Sequence, residues 1–274
     1  MKNLFQEAEH CLKISDPQEK IAYGMEVVSD WNATNLEWDC SDSPRIINSP
    51  GHLDKPIIVP PNKLKKRGFG SQQQIASLLH ALAHIEITAV NLAWDSICRY
   101  PGMPQEYYDD WINTAKDEGE HFLALRQQIK LLGYDYGDFP AHAELWNMAI
   151  QTAGNLMHRM GIVHRVLEAR ALDVVPFAVQ KFQTIKSGDT AKVLIRIAND
   201  EVNHVAAGTR WYRYCCEKEK VDPDKTFFKL IKQYLNSYPR GPFNESSRAS
   251  AGFSKNEITL LKYYDAEHKQ KRHP

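Results

Sequence analysis

At 274 residues and 31.4 kDa, with 43% hydrophobic and 25% charged residues, the chain can bury a large core, and disorder cannot dominate it. Its formal net charge is zero, which argues against a protein whose main task is to coat nucleic acid or an anionic membrane. Five cysteines without a Cys-x-x-Cys pair exclude a zinc ribbon or rubredoxin-type iron site. They point to a reducing cytoplasm, with no leader and no membrane-spanning apolar run expected.

Residues 1–38 read as two amphipathic helices, the first with Leu4, Phe5, Ala8, Cys11 and Leu12 on one face, the second opened by Asp16-Pro17. From Ser41 to Gly70 helical periodicity gives way to prolines and glycines. Ile46, Ile47, Leu53, Ile57, Ile58 and Val59 give this segment apolar groups to bury, so an ordered wrap is expected rather than a linker. Lys63-Leu64-Lys65-Lys66-Arg67 reads as a solvated charged turn, with contact to RNA as the alternative.

A long, mostly buried helix runs from about Ser71 through Leu78, Leu82 and Glu86 to a stop at Pro101-Gly102. Pro104 opens the next, which carries Trp111, Glu118, His121 and Leu125 to Gly133. At 1.5 Å per residue the arms from Glu86 to the turn and back to Glu118 are each about 21–23 Å, so the two residues end level. A connection begins at Tyr134–Pro140, with a short helix expected from Ala141 to about Thr152. A third long helix carries Met160, Val163 and Glu168 and is expected to break or kink at Pro176. A fourth runs from Asp189 through Glu201 and His204 to about Lys220. A helix from Asp222-Pro223 to Tyr234, a loop over 241–248, a last helix from Lys255 to Lys269 and a frayed tail to His273 complete the chain.

Two stretches repeat one pattern: Asp117-Glu118-Gly119-Glu120-His121 and Asp200-Glu201-Val202-Asn203-His204. Residues three apart share a helix face, so each copy offers one carboxylate and one imidazole together. Glu86 precedes Glu118 by 32 residues and Glu168 precedes Glu201 by 33, so the whole unit is duplicated. About 0.7 Glu-x-x-His matches are expected by chance in a chain of this composition, and Glu7-Ala8-Glu9-His10 is such a match, lacking the leading Asp and the upstream Glu.

Four carboxylates and two imidazoles are the ligand set of ferritin-like di-iron and di-manganese carboxylate proteins, whose four-helix bundles bind metal in this way. The chain resembles that superfamily, and most of all a bacterial ferritin-like family of unassigned function. That likeness rests on His80-Ala81-Leu82-Ala83-His84-Ile85-Glu86, both Asp-Glu-x-x-His stretches, Pro242-Phe243-Asn244 and Ala251-Gly252-Phe253, and covers about residues 44 to 262. The resemblance implies an all-α fold: a ferritin-like four-helix bundle over 71–220, with a long crossover between its two helix pairs. N-terminal helices and wrap (1–70) and a C-terminal helical extension (221–274) would join it in one compact domain. Glu86, Glu118 and His121 would serve one metal and Glu168, Glu201 and His204 the other, with Glu118 and Glu201 as bridges. The expected cofactor is two Fe ions, with Mn, a mixed Mn/Fe pair or Zn as alternatives.

Asp117 and Asp200, four residues before the motif histidines, are expected to accept a ligand imidazole's free N–H or to be plain surface charge. His164, four residues before Glu168, is expected to be a hydrogen-bonded core histidine, an extra ligand or a proton donor. His80 and His84 read as structural or interfacial, since His84 lies about 160° around the helix from Glu86. An O2- or peroxide-activating oxidase or monooxygenase follows, acting on an unidentified small molecule and fed by a separate electron donor or reductase. A homodimer is compatible with it. Leu125 stands where ribonucleotide reductase radical subunits carry their tyrosine, which disfavours that activity. Iron storage is the alternative from another class, and a tRNA-modifying hydroxylase is a narrower variant of the first reading.

Overall fold

In the computed structural model, which describes residues 2–38 and 43–272, the fold is mostly helical; strand pairing among the described residues is limited to β1 (Lys2–Asn3) parallel to β2 (Leu36–Glu37) and an isolated parallel bridge between Ile58 and Ala141. Cys40 and Ser41 lie outside the described residues. The chain divides into two compact units, Met1–Ile150 and Gln151–Pro274.

In the first unit, α1 (Leu4–Lys13) starts where the Asn3 side chain accepts from the Gln6 amide, and α2 (Pro17–Asn32) where Asp16 accepts from Gln18 and Glu19. Each cap satisfies amides that a helix start leaves without partners. Leu4, Phe5, Ala8, Cys11 and Leu12 are buried as one face of α1. The segment 43–70 lies along this unit through backbone bonds: Arg45 N–H donates to Cys98 O (3.0 Å), Gly51 N–H to Leu12 O (2.7 Å) and Val59 N–H to Ala141 O (2.9 Å). Its apolar groups correct the expectation, since Ile46, Leu53, Ile57 and Ile58 are exposed and Ile47 is buried. Hydrogen bonds hold the wrap more than apolar burial does, as an extended chain must satisfy its own backbone.

Helices α3 (Gln72–Arg99) and α4 (Gln105–Leu131) form an antiparallel pair joined by a turn with Gly102 at φ 82°. The Ser71 side chain accepts from Gln74 N–H at the start of α3, and Gln72 Nε2 reaches Leu132 O at the far end of α4 (3.0 Å). Leu79, Ala83, Leu92, Trp94, Tyr107, Trp111, Phe122 and Leu125 fill the space between them and α1 and α2. By length and apolar content α3 passes for a membrane span, yet 61% of its most apolar window is buried inside the protein.

The short helix of the connection is α5 (Glu144–Gln151), narrower than expected. In the second unit, α6 (Leu156–Arg159) runs straight into a π-helical segment, Met160–Leu167, and then α7 (Ala169–Thr184). Glu168 N–H bonds to Val163 O, five residues back, at 3.2 Å. Pro176 does not interrupt α7. Proline lacks the N–H that would reach Leu172 O, and that carbonyl instead accepts from Asn244 Nδ2 at 3.3 Å. Helix α8 (Gly188–Lys218) returns antiparallel to the π segment and α7, with Arg165 Nε donating to Thr209 Oγ1 at 3.1 Å.

Helix α9 (Pro223–Tyr234) packs on the π segment and α8. The expected loop at 241–248 contains a short helix, α10 (Glu245–Ser250), because Asn244 caps Ser247 N–H and Arg248 is buried on Asp173 (Nη2 to Oδ2, 2.7 Å). The last helix, α11 (Lys255–Arg272), takes in most of the tail expected to fray; His273 lies outside the described residues.

Candidate metal centre

The first unit gathers Glu86 from α3 with Glu118 and His121 from α4, 4%, 1% and 1% exposed. Equal arms on either side of the turn bring them level, and the i, i+3 spacing turns Glu118 and His121 to the same side. His121 Nδ1 lies 3.1 Å from Glu86 Oε2 and 3.6 Å from Glu118 Oε2, and one ligand atom from each residue falls within 4.8 Å of the others.

This grouping is electrostatically tense. Burial, followed by the neighbouring Glu118 carboxylate, pushes Glu86 up to about 8. Burial works against a charge on His121, yet its hydrogen bonds to Glu118 and Glu86 outweigh that and raise it to about 11. The cluster therefore retains protons that the same groups would release in water. A cation among them would replace those protons, and hard carboxylate oxygens with one imidazole suit Fe(II), Mn(II) or Zn(II). The donor set fits a metal ion.

The second unit places its candidates on the π segment and α8. Glu168, Glu201 and His204 are buried, at 8%, 5% and 2% exposed. His204 Nδ1 is 3.9 Å from Glu201 Oε2 on α8. Glu168 is met from its own segment, with His164 Nδ1 at 3.1 Å and His164 1% exposed. The wider i→i+5 hydrogen-bonded loop of a π-helix re-aims side chains and recurs at functional sites. Gly208 permits the close approach of α8, since a Cβ there would stand 2.7 Å from the Cβ of His164 and 2.9 Å from its carbonyl oxygen.

Other sequence candidates fall around these groups. Asp117 is partly exposed, 3.8 Å from Lys116, and Asp200 lies 3.5 Å from Arg196. His80 accepts from Gly137 N–H at 2.9 Å through Nε2 and stacks on Tyr136; His84 contacts the Tyr136 hydroxyl (2.8 Å) and His142 O (3.2 Å). Burial holds both imidazoles down near 4, so they are neutral supports of the first unit. His10 of the chance motif is exposed on α1 and packs on Tyr23. Sequence reading passed over Lys20, buried on α2 and bonded to Asn91 on α3. Its signal was a lysine inside the apolar stripe Pro17, Ile21, Gly24, Val28.

Comparison with known proteins gives one consistent result. The family model described as "Protein of unknown function (DUF455)" matches residues 13–259, a range that contains both triads. A protein of Haemophilus influenzae described as "Uncharacterized protein" is 35% identical over 273 residues, covering 96% of this chain and 94% of its own length. No solved structure matches.

Proposed function

The chain belongs to the family described as protein of unknown function DUF455, and from that premise we propose that it is a ferritin-like di-iron protein, an oxidase or monooxygenase that activates O2 or peroxide against a small organic substrate. The observation that carries this reading is the buried Glu86–Glu118–His121 triad on an antiparallel helix pair, matched in residue type and spacing by Glu168, Glu201 and His204. In the proposal the two helix pairs form one ferritin-like bundle, and the triads hold two iron ions, with Glu118 and Glu201 bridging. Manganese or a mixed Mn/Fe pair would fit the same donors.

When bound, the iron pair supplies the electrons for reducing O2 or peroxide. The chain's own residues do the rest. Glu168 offers an oxygen held by the neighbouring His164 imidazole, which limits the carboxylate's rotation. The surrounding Ala83, Phe122, Val163 and Val205 are buried and keep bulk water away. In this reading His164, 3.1 Å from Glu168, would hold or return a proton at that carboxylate. Cys11, Cys98, Cys215 and Cys216 are free and buried, and Cys40 lies outside the described residues; a separate cytoplasmic reductase would therefore supply electrons. In the tRNA-modifying variant of this reading, Lys63–Arg67 would meet the nucleic acid.

Metal analysis of protein reconstituted with Fe(II) tests the reading. Two ions per chain are expected for the natural sequence, about one or none for Glu118→Ala or Glu201→Ala, and an unchanged two for Glu7→Ala. Exposure of the ferrous protein to air should produce near-ultraviolet oxo-ferric absorption with rapid O2 consumption. No bound transition metal, or equal loss from Glu7→Ala, would overturn the di-metal reading; accumulation of hundreds of irons per particle would replace the enzyme with a storage protein.

A further inference from the structure

Within the first unit a cavity of about 310 Å³ opens between the start of α2, the wrap around residues 48–58, α3 and the start of α5. That volume is at the lower end of the range for small-molecule sites. On α3 it is lined by His84, Ile87, Thr88 and Asn91. At 100° per residue these lie about 100–200° around the helix from Glu86, so the cavity occupies the face of α3 turned away from the carboxylate triad. It is a separate place in the fold.

Its wall contains an electrostatic anomaly. Lys20 is 1% exposed, and its ammonium donates to Leu12 O (3.2 Å), Gly51 O (3.4 Å) and Asn91 Oδ1, all neutral acceptors. Among the described residues it makes no ion pair. No aspartate or glutamate lines the cavity, whereas a second lysine, Lys55, does. Buried charges in folded proteins are normally paired, because an ammonium taken out of water without a counter-charge is costly. Asn91 adds a donor: its oxygen is turned to Lys20, which leaves its two amide N–H groups to donate to another acceptor. The rest of the wall is largely apolar, including Ile58, Ile87 and Trp146.

We propose that this cavity is a binding site for a small monocarboxylate with an aromatic or branched aliphatic body, its carboxylate set against the bonded pair Lys20 and Asn91 and its body against Ile58, Ile87 and Trp146. One ammonium and one amide match a single carboxylate in charge and donor number; the apolar walls take the remainder. Gly51 O makes the longest of the three Lys20 bonds and is the one the ligand would displace.

Calorimetric titration of the full chain with phenylacetate tests the site, with phenylacetamide, phenethylamine and acetate as comparisons. Saturable one-to-one binding of phenylacetate is expected, with the neutral amide, the cationic amine and the bodiless acetate each at least tenfold weaker. Ile58 is half exposed at the cavity, so Ile58→Trp should fold normally and block the site, weakening phenylacetate tenfold or more with metal content unchanged. Lys20→Met should abolish the preference for carboxylate over amide, and the Ile58→Trp result stands whether or not that variant folds. Equal affinity for carboxylate and amide, full binding by Ile58→Trp, or no phenylacetate binding at millimolar concentration would each overturn the proposal.

Discussion

In the first unit the carboxylate of Glu86 meets an imidazole from the facing helix, whereas in the second the carboxylate of Glu168 meets one from four residues upstream on its own segment. The position of His164 is occupied in the first unit by Leu82, and the helix carrying Glu86 is a regular α-helix where the segment before Glu168 is π-helical. A duplicated sequence pattern thus produces two chemically unequal halves. The first is a tight carboxylate–imidazole cluster set by helix pairing alone; the second depends on a local distortion that has to be held in place.

What holds it is Arg165, the neighbour of His164. Its guanidinium is fully buried, bonded through Nη2 to both oxygens of Glu257 (2.9 and 2.8 Å), and stands over the rings of Phe227 (4.3 Å) and Phe253 (4.4 Å). Helix α11 is thereby tied to the π segment. Replacing Glu257 with Gln leaves the arginine charge buried without its counter-ion, a change that costs about 3–5 kcal/mol. Denaturant unfolding should show that loss, and metal occupancy by the second triad should fall with it. If stability drops and occupancy does not, the π segment is not what positions Glu168.

The next effect is a pH dependence of the first half. In metal-free protein, Glu86 is raised from 4.5 to about 8, by burial and then Glu118, and His121 from 6.5 to about 11, against burial, by Glu118 and Glu86. Both groups bind protons in the folded state that the unfolded chain has released. Their stabilisation is therefore fully present below about 4.5 and 6.5 respectively and is lost as pH rises through about 8 and then about 11. The unfolding temperature in chelator should fall between pH 5 and 9. With Mn(II) bound the ion takes the place of those protons, so its stabilising effect should grow over the same range. Parallel curves with and without metal would show that the ion binds elsewhere.

These differences also mark how far the sequence was legible. The long pairs α3–α4 and α7–α8 follow from apolar periodicity, Ser71 as cap and the Pro101–Pro104 turn, and equal arms in the sequence alone put Glu86 level with Glu118. The π segment was not legible, because Met160–Leu167 has the same apolar residues an α-helix would show; only tertiary partners such as Arg165–Glu257 select the wider turn. Pro176 misled for the opposite reason: a strong local breaker was compensated by Asn244, more than sixty residues away. Lys20 escaped notice because a lone lysine in an apolar stripe is read as snorkelling to solvent, and nothing in the sequence places Leu12, Gly51 and Asn91 around it.

The smallest effect tests whether the close approach of α8 belongs to the site or only to packing. A methyl group at Gly208 would meet the Cβ and the backbone of His164 at 2.7–3.0 Å, and the backbone atoms cannot rotate away as a flexible side chain would. Overpacking of this kind costs about 1–3 kcal/mol. It is partly offset by about 0.5–1 kcal/mol, because alanine is the better residue inside a helix. Gly208→Ala should therefore lower stability modestly. Its more informative readout is metal affinity, since a shift of the π segment moves His164 and Glu168 together while leaving Glu86, Glu118 and His121 on their regular helices. Weaker binding of one ion out of two is expected, measured by competition with a chelator. If both ions bind as before, the second half tolerates displacement of its π segment, and the inequality between the halves has no bearing on the metals.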